Sequence, residues 1–249
     1  MRIAQLSDLH LNGSVERRER FLGSIGQAKA WGAKHLVLTG DLTANGHRYQ
    51  FEELGKALES WGGEATIVPG NHDGRTSEGF MNALGGPLIG YAHTSYPGSF
   101  TSLGSGAAVL AVNTQYAKRA PLFMALGNVG SHQLSLLQNA IEKTSRDGSH
   151  LIVAMHHPPR DLGLGFLTGL TDRGRVGKLL SQRNVSVLCG HDHRALDLGN
   201  VHVAPSVATH NADPLRIYDV DQSGLKIVHR SSEIGSGMIA LAGFPKRAR

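Results

Sequence analysis

Two histidines lie one residue apart where an apolar run ends, and this spacing could bind metal ions. The run covers Val185 to Leu188, and Gly190 precedes His191 and His193. One histidine after a strand is unremarkable, since its ring can bond the nearest carbonyl group. Two imidazoles projecting from one turn suit metal ions, because neutral imidazole is a common metal ligand. Taken alone, the pair does not distinguish a metal site from chance.

Polar residues follow four further apolar runs in the same way. In an α/β sheet the carboxyl ends of the strands line up along one edge, where binding sites form. Oxygen and nitrogen donors without thiolates suit manganese, iron or zinc more than a soft metal. Each residue has an ordinary alternative, such as a turn for Asp41 and core packing for His156, but five coincidences at strand ends favour a shared site. The polar residues at the five ends are Asp8, His10, Asp41, Asn71, His72, Asp73, His156, His157, His191 and His193.

The amino-acid composition limits the classes of protein to which this chain can belong. The 249 residues are 40% hydrophobic and 18% charged, which is sufficient for a sizeable core. The single cysteine, Cys189, excludes disulfide frameworks and cysteine-based zinc sites. No apolar segment reaches the roughly 20 residues of a membrane helix, and the first residues become polar too early for a signal sequence, so we expect a cytoplasmic protein. The net charge of +5 is compatible with an anionic substrate, whereas a dedicated nucleic-acid binder would show a denser basic face.

Short apolar runs alternate with amphipathic stretches, which predicts a βαβα first half and a β-rich last quarter. Ser131 is the predicted N-cap of one helix. We predict one domain over 1–235, a C-terminal tail at 236–249 and a mobile Gly-rich loop at 162–174. The overlapping stretch 160–173 could lie over the site. The predicted strands are 2–6, 35–39, 65–68, 99–103, 107–113, 150–155 and 185–189, with short strands within 195–229, and the predicted helices are 15–31, 48–61, 77–84, 131–144 and 172–182.

The five blocks of polar residues resemble those of the calcineurin-like metallophosphoesterases in order and in spacing. They read SDLH, GDLT, GNHD, HHPP and GHDH, and their polar residues span 8–193. The blocks are most similar to the bacterial branch of cyclic-nucleotide and glycerophosphodiester phosphodiesterases. The resemblance implies an α/β fold, a four-layer αββα sandwich of two mixed β-sheets flanked by helices, with a dinuclear metal site at the carboxyl ends of the strands.

The resemblance also implies which residues hold two divalent ions, whether manganese, iron or zinc. The ligands implied for one ion are Asp8, His10 and His193, and those implied for the other are Asn71, His156 and His191. Asp41 would bridge them, since a carboxylate can partly neutralise two dications and hold them about 3.5–4 Å apart. His191 and His193 would then face different ions.

A phosphoester would be hydrolysed by a hydroxide that bridges the two metals, without a covalent enzyme intermediate. His72 would lie over the phosphate, where it would stabilise charge or protonate the leaving oxygen. Asp73 would orient His72 or form a turn. His157 is expected to pack or to support the ligands.

The substrate expected from the sequence is a small phosphodiester of the cyclic-nucleotide or glycerophosphodiester type. Ser/Thr protein phosphatases of this family carry Gly-Asp-x-x-Asp-Arg-Gly, but here Ala44 and Asn45 occupy the acidic and arginine positions. Only about 55 residues follow His193, which is fewer than most separate domains have, so nucleic acid is not the favoured partner. The expected substrate contacts are Asn12, Asn45, Arg160 and His210.

Other functions stay open at this point. A phosphomonoesterase or a nuclease would use the same site. A catalytically inactive metal-binding scaffold is less favoured because none of the seven ligands is missing. A redox metal protein would not explain His72. Homodimerisation is a further expectation, to which the segment 95–125 could contribute.

Overall fold

The computed structural model describes residues 1–76, 94–115, 125–162, 168–209 and 213–230. The helices in these ranges are α1 (Val15–Ala30), α2 (Arg48–Trp61), α3 (Gly130–Arg146) and α4 (Arg173–Leu180), with a 3-10 turn at His72–Gly74. The strands are β1 (Arg2–Leu6), β2 (His35–Thr39), β3 (Glu64–Val68), β4 (Thr94–Ser95), β5 (Phe100–Ser102), β6 (Ala107–Ala111), β7 (His150–Ala154), β8 (Val185–Cys189), β9 (Leu196–Leu198), β10 (Val201–Val203), β11 (Arg216–Asp221) and β12 (Gly224–His229).

The strands form two mixed sheets. The first sheet has the order β12-β11-β1-β2-β3-β4, in which β1 to β4 are parallel and β11 and β12 are antiparallel. The second sheet has the order β5-β6-β7-β8-β10-β9, in which only the edge strands β5 and β9 are antiparallel. The parallel strands are buried on both faces, which is why they read as continuous apolar runs.

Side chains along each central strand alternate between two hydrophobic layers. In β2, Leu36 and Leu38 pack with Phe21 of α1 and Phe51 of α2, while Val37 points into the layer between the sheets. The second sheet packs against α3 and α4 through a separate cluster. The order of layers is therefore helices, sheet, sheet, helices, which confirms the predicted αββα sandwich.

The start of α3 differs from its prediction. The helix begins at Gly130, and the N-cap is Val129, not Ser131. The amides of Val129 and Gly130 donate to the carboxylate of Asp172, at 3.2 and 3.0 Å. The prediction was wrong because a carboxylate from a distant segment satisfies the free amides, and no local pattern shows that contact.

Several predicted features lie outside the described residues. These are the helix at 77–84, the tail at 236–249 and residues 163–167 of the predicted loop. Within the described part of the chain, none of the helices combines the length and the apolar character that crossing a membrane requires.

Candidate metal centre

The carboxyl ends of five strands bring the predicted ligands to one place between the sheets. The registers align these ends, with Leu6 opposite Leu38, Thr39 opposite Val68 and Ala154 opposite Leu188. The first sheet contributes the loops that carry Asp8, His10, Asp41 and Asn71, and the second sheet contributes those that carry His156, His191 and His193. Both sheets are therefore required to assemble the site.

One group of donor atoms consists of Asp8, His10 and His193. The Nε2 atom of His193 lies 3.2 Å from Oδ1 of Asp8 and 3.2 Å from Nε2 of His10. The Oδ1 atom of Asp8 is buried, and in the part of the chain that the structure describes it has no hydrogen-bond partner. A buried anionic oxygen without a donor is unfavourable unless a cation compensates it. The donor set therefore fits a divalent ion.

A second group consists of Asn71, His156 and His191. The Nε2 atom of His156 lies 3.2 Å from Oδ1 of Asn71 and 3.2 Å from Nδ1 of His191. The Nδ1 atom of His156 donates to the carbonyl of Thr39 at 2.8 Å. This bond leaves the Nε2 lone pair available, as a metal-binding histidine requires.

Asp41 lies between the two groups. Its Oδ2 is 3.7 Å from Nε2 of His10, and its Oδ1 is 3.5 Å from Nε2 of His156. The amide of His72 donates to Oδ1 at 2.8 Å and fixes the carboxylate. Each oxygen of Asp41 thus faces one group, which is the arrangement of a bridging carboxylate. His191 and His193 lie in different groups, which accounts for their spacing in the sequence.

The backbone is unusual at the strand ends. Among the described residues, the non-glycine positions with positive φ are Asp8, His10, Asp41, His191 and His193, at 54°, 44°, 48°, 73° and 57°. Left-handed backbone costs an ordinary L-residue about 1–2 kcal/mol. Such strain persists at functional sites where the surrounding structure imposes it. All five are predicted metal ligands, so the strain coincides with the site.

Three glycines allow side chains of the site to approach the backbone. A Cβ atom would lie 2.4 Å from Nδ1 of His156 at Gly40, 2.2 Å from Oδ1 of Asp41 at Gly70, and 1.8 Å from Oγ of Ser7 at Gly190. These positions therefore need glycine for space, and only Gly40 also has a positive φ.

Burial and the charge of Asp41 act in opposite directions on the histidines of the site. Burial lowers the pKa of His10 and of His191 to about 4, so that both rings are neutral. Burial also opposes ionisation of Asp41, but the neighbouring imidazoles, first of all His156, hold the pKa of its carboxyl below the ordinary value. Burial would lower the pKa of His156, yet the Asp41 carboxylate raises it to about 9. A proton is thus attracted to the place where a metal cation would bind.

The surroundings of His72 differ from the expectation. Its Nδ1 donates to the carbonyl of Ala44 at 2.7 Å, and its Nε2 accepts from Arg75 at 2.7 Å. The Asp73 carboxylate accepts instead from the amides of Leu42, Thr43 and Gly70 and from Oγ1 of Thr43. Burial, followed by the charge of Asp41, raises the pKa of Asp73 to about 7. Asp73 therefore joins two loops of the site, and the carbonyl of Ala44 orients His72.

His157 and Thr114 form a buried pair behind the second group. Oγ1 of Thr114 and Nδ1 of His157 lie 2.8 Å apart, and the ring of His157 lies 4.3 Å from that of His191. The ligand atoms of His156, His157 and His191 also lie within 4.8 Å of one another, so the supporting role of His157 stays a prediction. Sequence reasoning missed both Thr114 and Arg75. Arg75 had a local signal, a basic residue two positions after the GNHD block, whereas Thr114 had none.

The residues expected to contact the substrate are more widely spread than the predicted metal ligands. Asn12 and Asn45 are exposed on the loops that follow His10 and Asp41, and Oδ1 of Asn12 accepts from the amide of Ser14. Arg160 lines a cavity of about 540 Å³ that also includes His191 and His193. His210 lies outside the described residues.

Comparisons with known proteins agree with this architecture. A model of the calcineurin-like phosphoesterase family matches residues 1–195. A probable cyclic nucleotide phosphodiesterase of Rhodococcus erythropolis is 27% identical over an alignment of 224 residues, which covers 83% of this chain and 69% of that protein. Another probable cyclic nucleotide phosphodiesterase, from a Synechococcus strain, is 27% identical over 245 residues, covering 93% of this chain and 87% of that protein.

Solved structures show the same fold at low sequence identity. The crystal structure of a dimetal phosphatase from Danio rerio has a TM-score of 0.71 at 12% identity and covers 92% of this chain and 96% of its own. The crystal structure of a Thermus thermophilus protein has a TM-score of 0.61 at 15% identity, and the match covers 94% of this chain and 99% of that chain. Because the family model spans most of the chain, this protein belongs to the calcineurin-like phosphoesterase family.

Proposed function

We propose that this chain hydrolyses small phosphodiesters with two divalent ions held around Asp41. The observation that carries the proposal is the position of the Asp41 carboxylate, which faces a different group of ligands with each oxygen. Membership of the calcineurin-like phosphoesterase family supports a phosphoester hydrolase, and the clustered donor atoms support the use of divalent metal ions. The names of the two relatives favour a cyclic nucleotide as the diester.

Each of the two groups of donor atoms would hold one metal ion. The residues proposed for one ion are Asp8, His10 and His193, those for the other are Asn71, His156 and His191, and Asp41 is shared. Nitrogen and carboxylate or amide oxygen donors suit manganese, iron or zinc. When bound, the two ions supply Lewis acidity to the phosphoryl oxygens and lower the pKa of water.

The chain itself keeps these donors in fixed orientations. The amide of His72 holds Asp41, the amide of His191 donates to Oδ2 of Asp8 at 3.0 Å, and Thr39 orients His156. Because these partners are backbone groups, little reorganisation is needed when charge develops on the substrate. Asp73 maintains the distance between the loops that carry Asp41 and Asn71.

The substrate class follows from what surrounds the donors. Ala44 reaches His72 only with its backbone carbonyl, and Asn45 is exposed. The side chains that mark the protein phosphatases of the family are thus missing, and a small diester is the better substrate. We also propose one catalytic domain over 1–235, since the site needs both sheets. Cytoplasmic location and homodimerisation stay predictions.

The proposal is tested by hydrolysis with metal-stripped protein resupplied with manganese. Bis(p-nitrophenyl) phosphate and p-nitrophenyl phosphate are compared for the wild type, for Asn71→Ala and for Asn139→Ala, an exposed asparagine on α3. We expect the diester to be preferred, and the activity to be lost only in Asn71→Ala. Cyclic nucleotides and glycerophosphodiesters would then be screened.

Two results would contradict the proposal. A preference for the monoester would identify a phosphatase instead of a phosphodiesterase. If two manganese ions bind and neither ester is hydrolysed, the chain is an inactive scaffold.

A further inference from the structure

Arg75 places a guanidinium group beside the metal centre. The residue follows the 3-10 turn after β3, and its Nη2 donates to Nε2 of His72 at 2.7 Å. That imidazole nitrogen lies 3.8 Å from Oδ2 of Asp41. The side chain is exposed, and within the described ranges it forms no ion pair with a carboxylate. One imidazole thus separates the positive charge of Arg75 from the centre of the site.

The two hydrogen bonds of His72 determine where its proton lies. Arginine only donates, so Nε2 of His72 must be the acceptor. The carbonyl of Ala44 only accepts, so Nδ1 carries the hydrogen. His72 therefore presents no N–H toward Asp41 and the site. Arg75 has five N–H donors, and the bond to His72 uses one of them.

We propose that Arg75 contacts the phosphoryl oxygens of the substrate and that His72 positions it. The inference rests on the proposed function only in that a phosphoester binds at the metal centre. The guanidinium donates hydrogen bonds and transfers no proton, so that no bond is made or broken at Arg75. Its planar fork matches two phosphoryl oxygens, which the point charge of a lysine cannot do.

Kinetics of Arg75→Ala and Arg75→Lys test this role. The control is Arg48→Ala, which removes an exposed arginine that pairs with Glu52 on α2. Loss of one preorganised donor to a developing oxyanion lowers kcat by about 100-fold or more. We expect a loss of this size in kcat/KM for Arg75→Ala at unchanged metal content, a partial loss for Arg75→Lys and no loss for Arg48→Ala.

Chemical rescue tests whether a guanidinium group is required at the position of Arg75. Added guanidinium should restore part of the activity of Arg75→Ala, because the small cation can occupy the vacated position. It should not restore Asn71→Ala, in which a proposed metal ligand is missing. A loss that comes from misfolding would give no rescue, whereas a role only through the hydrogen bond to His72 would give rescue with unchanged phosphate affinity.

Binding of inorganic phosphate to the manganese-loaded protein gives a readout that does not need turnover. A charge-assisted hydrogen bond predicts about tenfold weaker binding by Arg75→Ala. If Arg75→Ala matches Arg48→Ala in activity and in phosphate affinity, or if its activity falls while its phosphate affinity is unchanged, with or without rescue, the proposal is overturned. If the wild type hydrolyses no ester, the proposed function fails, and phosphate affinity still decides the role of Arg75.

Discussion

Replacing Gly70 with alanine should misplace the Asp41 carboxylate. The added Cβ atom would lie 2.2 Å from Oδ1 and 2.3 Å from the backbone nitrogen of Asp41, where ordinary contacts begin at 3.4 Å. The backbone cannot rotate away, so one loop must shift by about 1 Å, and displacement of this size can reduce catalysis about 100-fold. Overpacking of a well-packed region costs about 1–3 kcal/mol in addition.

The matched control is Gly23→Ala in α1. A Cβ atom there meets nothing within 4 Å. Alanine in a helix interior is better than glycine by about 0.5–1 kcal/mol, so this variant should be slightly more stable than the wild type. The assays are manganese affinity by calorimetry, the free energy of unfolding by urea titration, and kcat on bis(p-nitrophenyl) phosphate.

The expected pattern is weaker manganese binding and a large loss of kcat for Gly70→Ala alone. A Gly70→Ala protein with wild-type stability and activity would refute the interpretation that this glycine provides space for Asp41. A loss of stability with unchanged manganese affinity would show that the loop moves without displacing the carboxylate.

Two further predictions concern stability. A chelator should lower the melting temperature of the protein and manganese should restore it, since an ion at 100 times its Kd adds about 2.7 kcal/mol to the free energy of unfolding. This response should disappear in Asp8→Asn and persist in Asp147→Asn, a control at an exposed aspartate. A wild-type melting temperature that does not respond to metal would contradict the metal assignment. His35 is buried, and burial lowers the pKa of its ring, so the folded state disfavours the charged form. The free energy of unfolding should therefore fall as the pH decreases below about 6.5, the ordinary pKa of histidine. Urea titrations across this pH range should show a smaller decrease for His35→Gln than for the wild type. An equal dependence on pH in the two proteins would show that His35 is not the group responsible.

The order of the elements and the identity of the donors could be predicted from local patterns. Continuous apolar runs such as Val185–Cys189 indicate strands buried on both faces, and the polar residues after each run indicate the edge where the site forms. The helices 15–31 and 48–61 were predicted to within a residue because their apolar faces repeat along the chain. Hydrophobic periodicity depends only on residues that are near one another in the sequence, so it can be detected from one amino-acid sequence.

Contacts between distant segments could not be predicted in this way. Asp172 caps α3 from 42 residues away, and Thr114 supports His157 across 43 residues. Asp73 was expected to orient His72 or to form a turn, but its carboxylate bonds to the loop that follows β2. Each of these contacts depends on how two loops meet in space, which no local spacing records.

The sequence by itself determined which residue types stand at the five strand ends and that they can bind metal ions. Only the tertiary structure decided how the donors pair across the two sheets, why Gly70 and Gly190 must lack a Cβ atom, and that Arg75 lies against His72. The reason is physical. Donor chemistry and strand periodicity are properties of single residues and their neighbours, whereas distances between side chains arise when two sheets pack together and their loops occupy the same space.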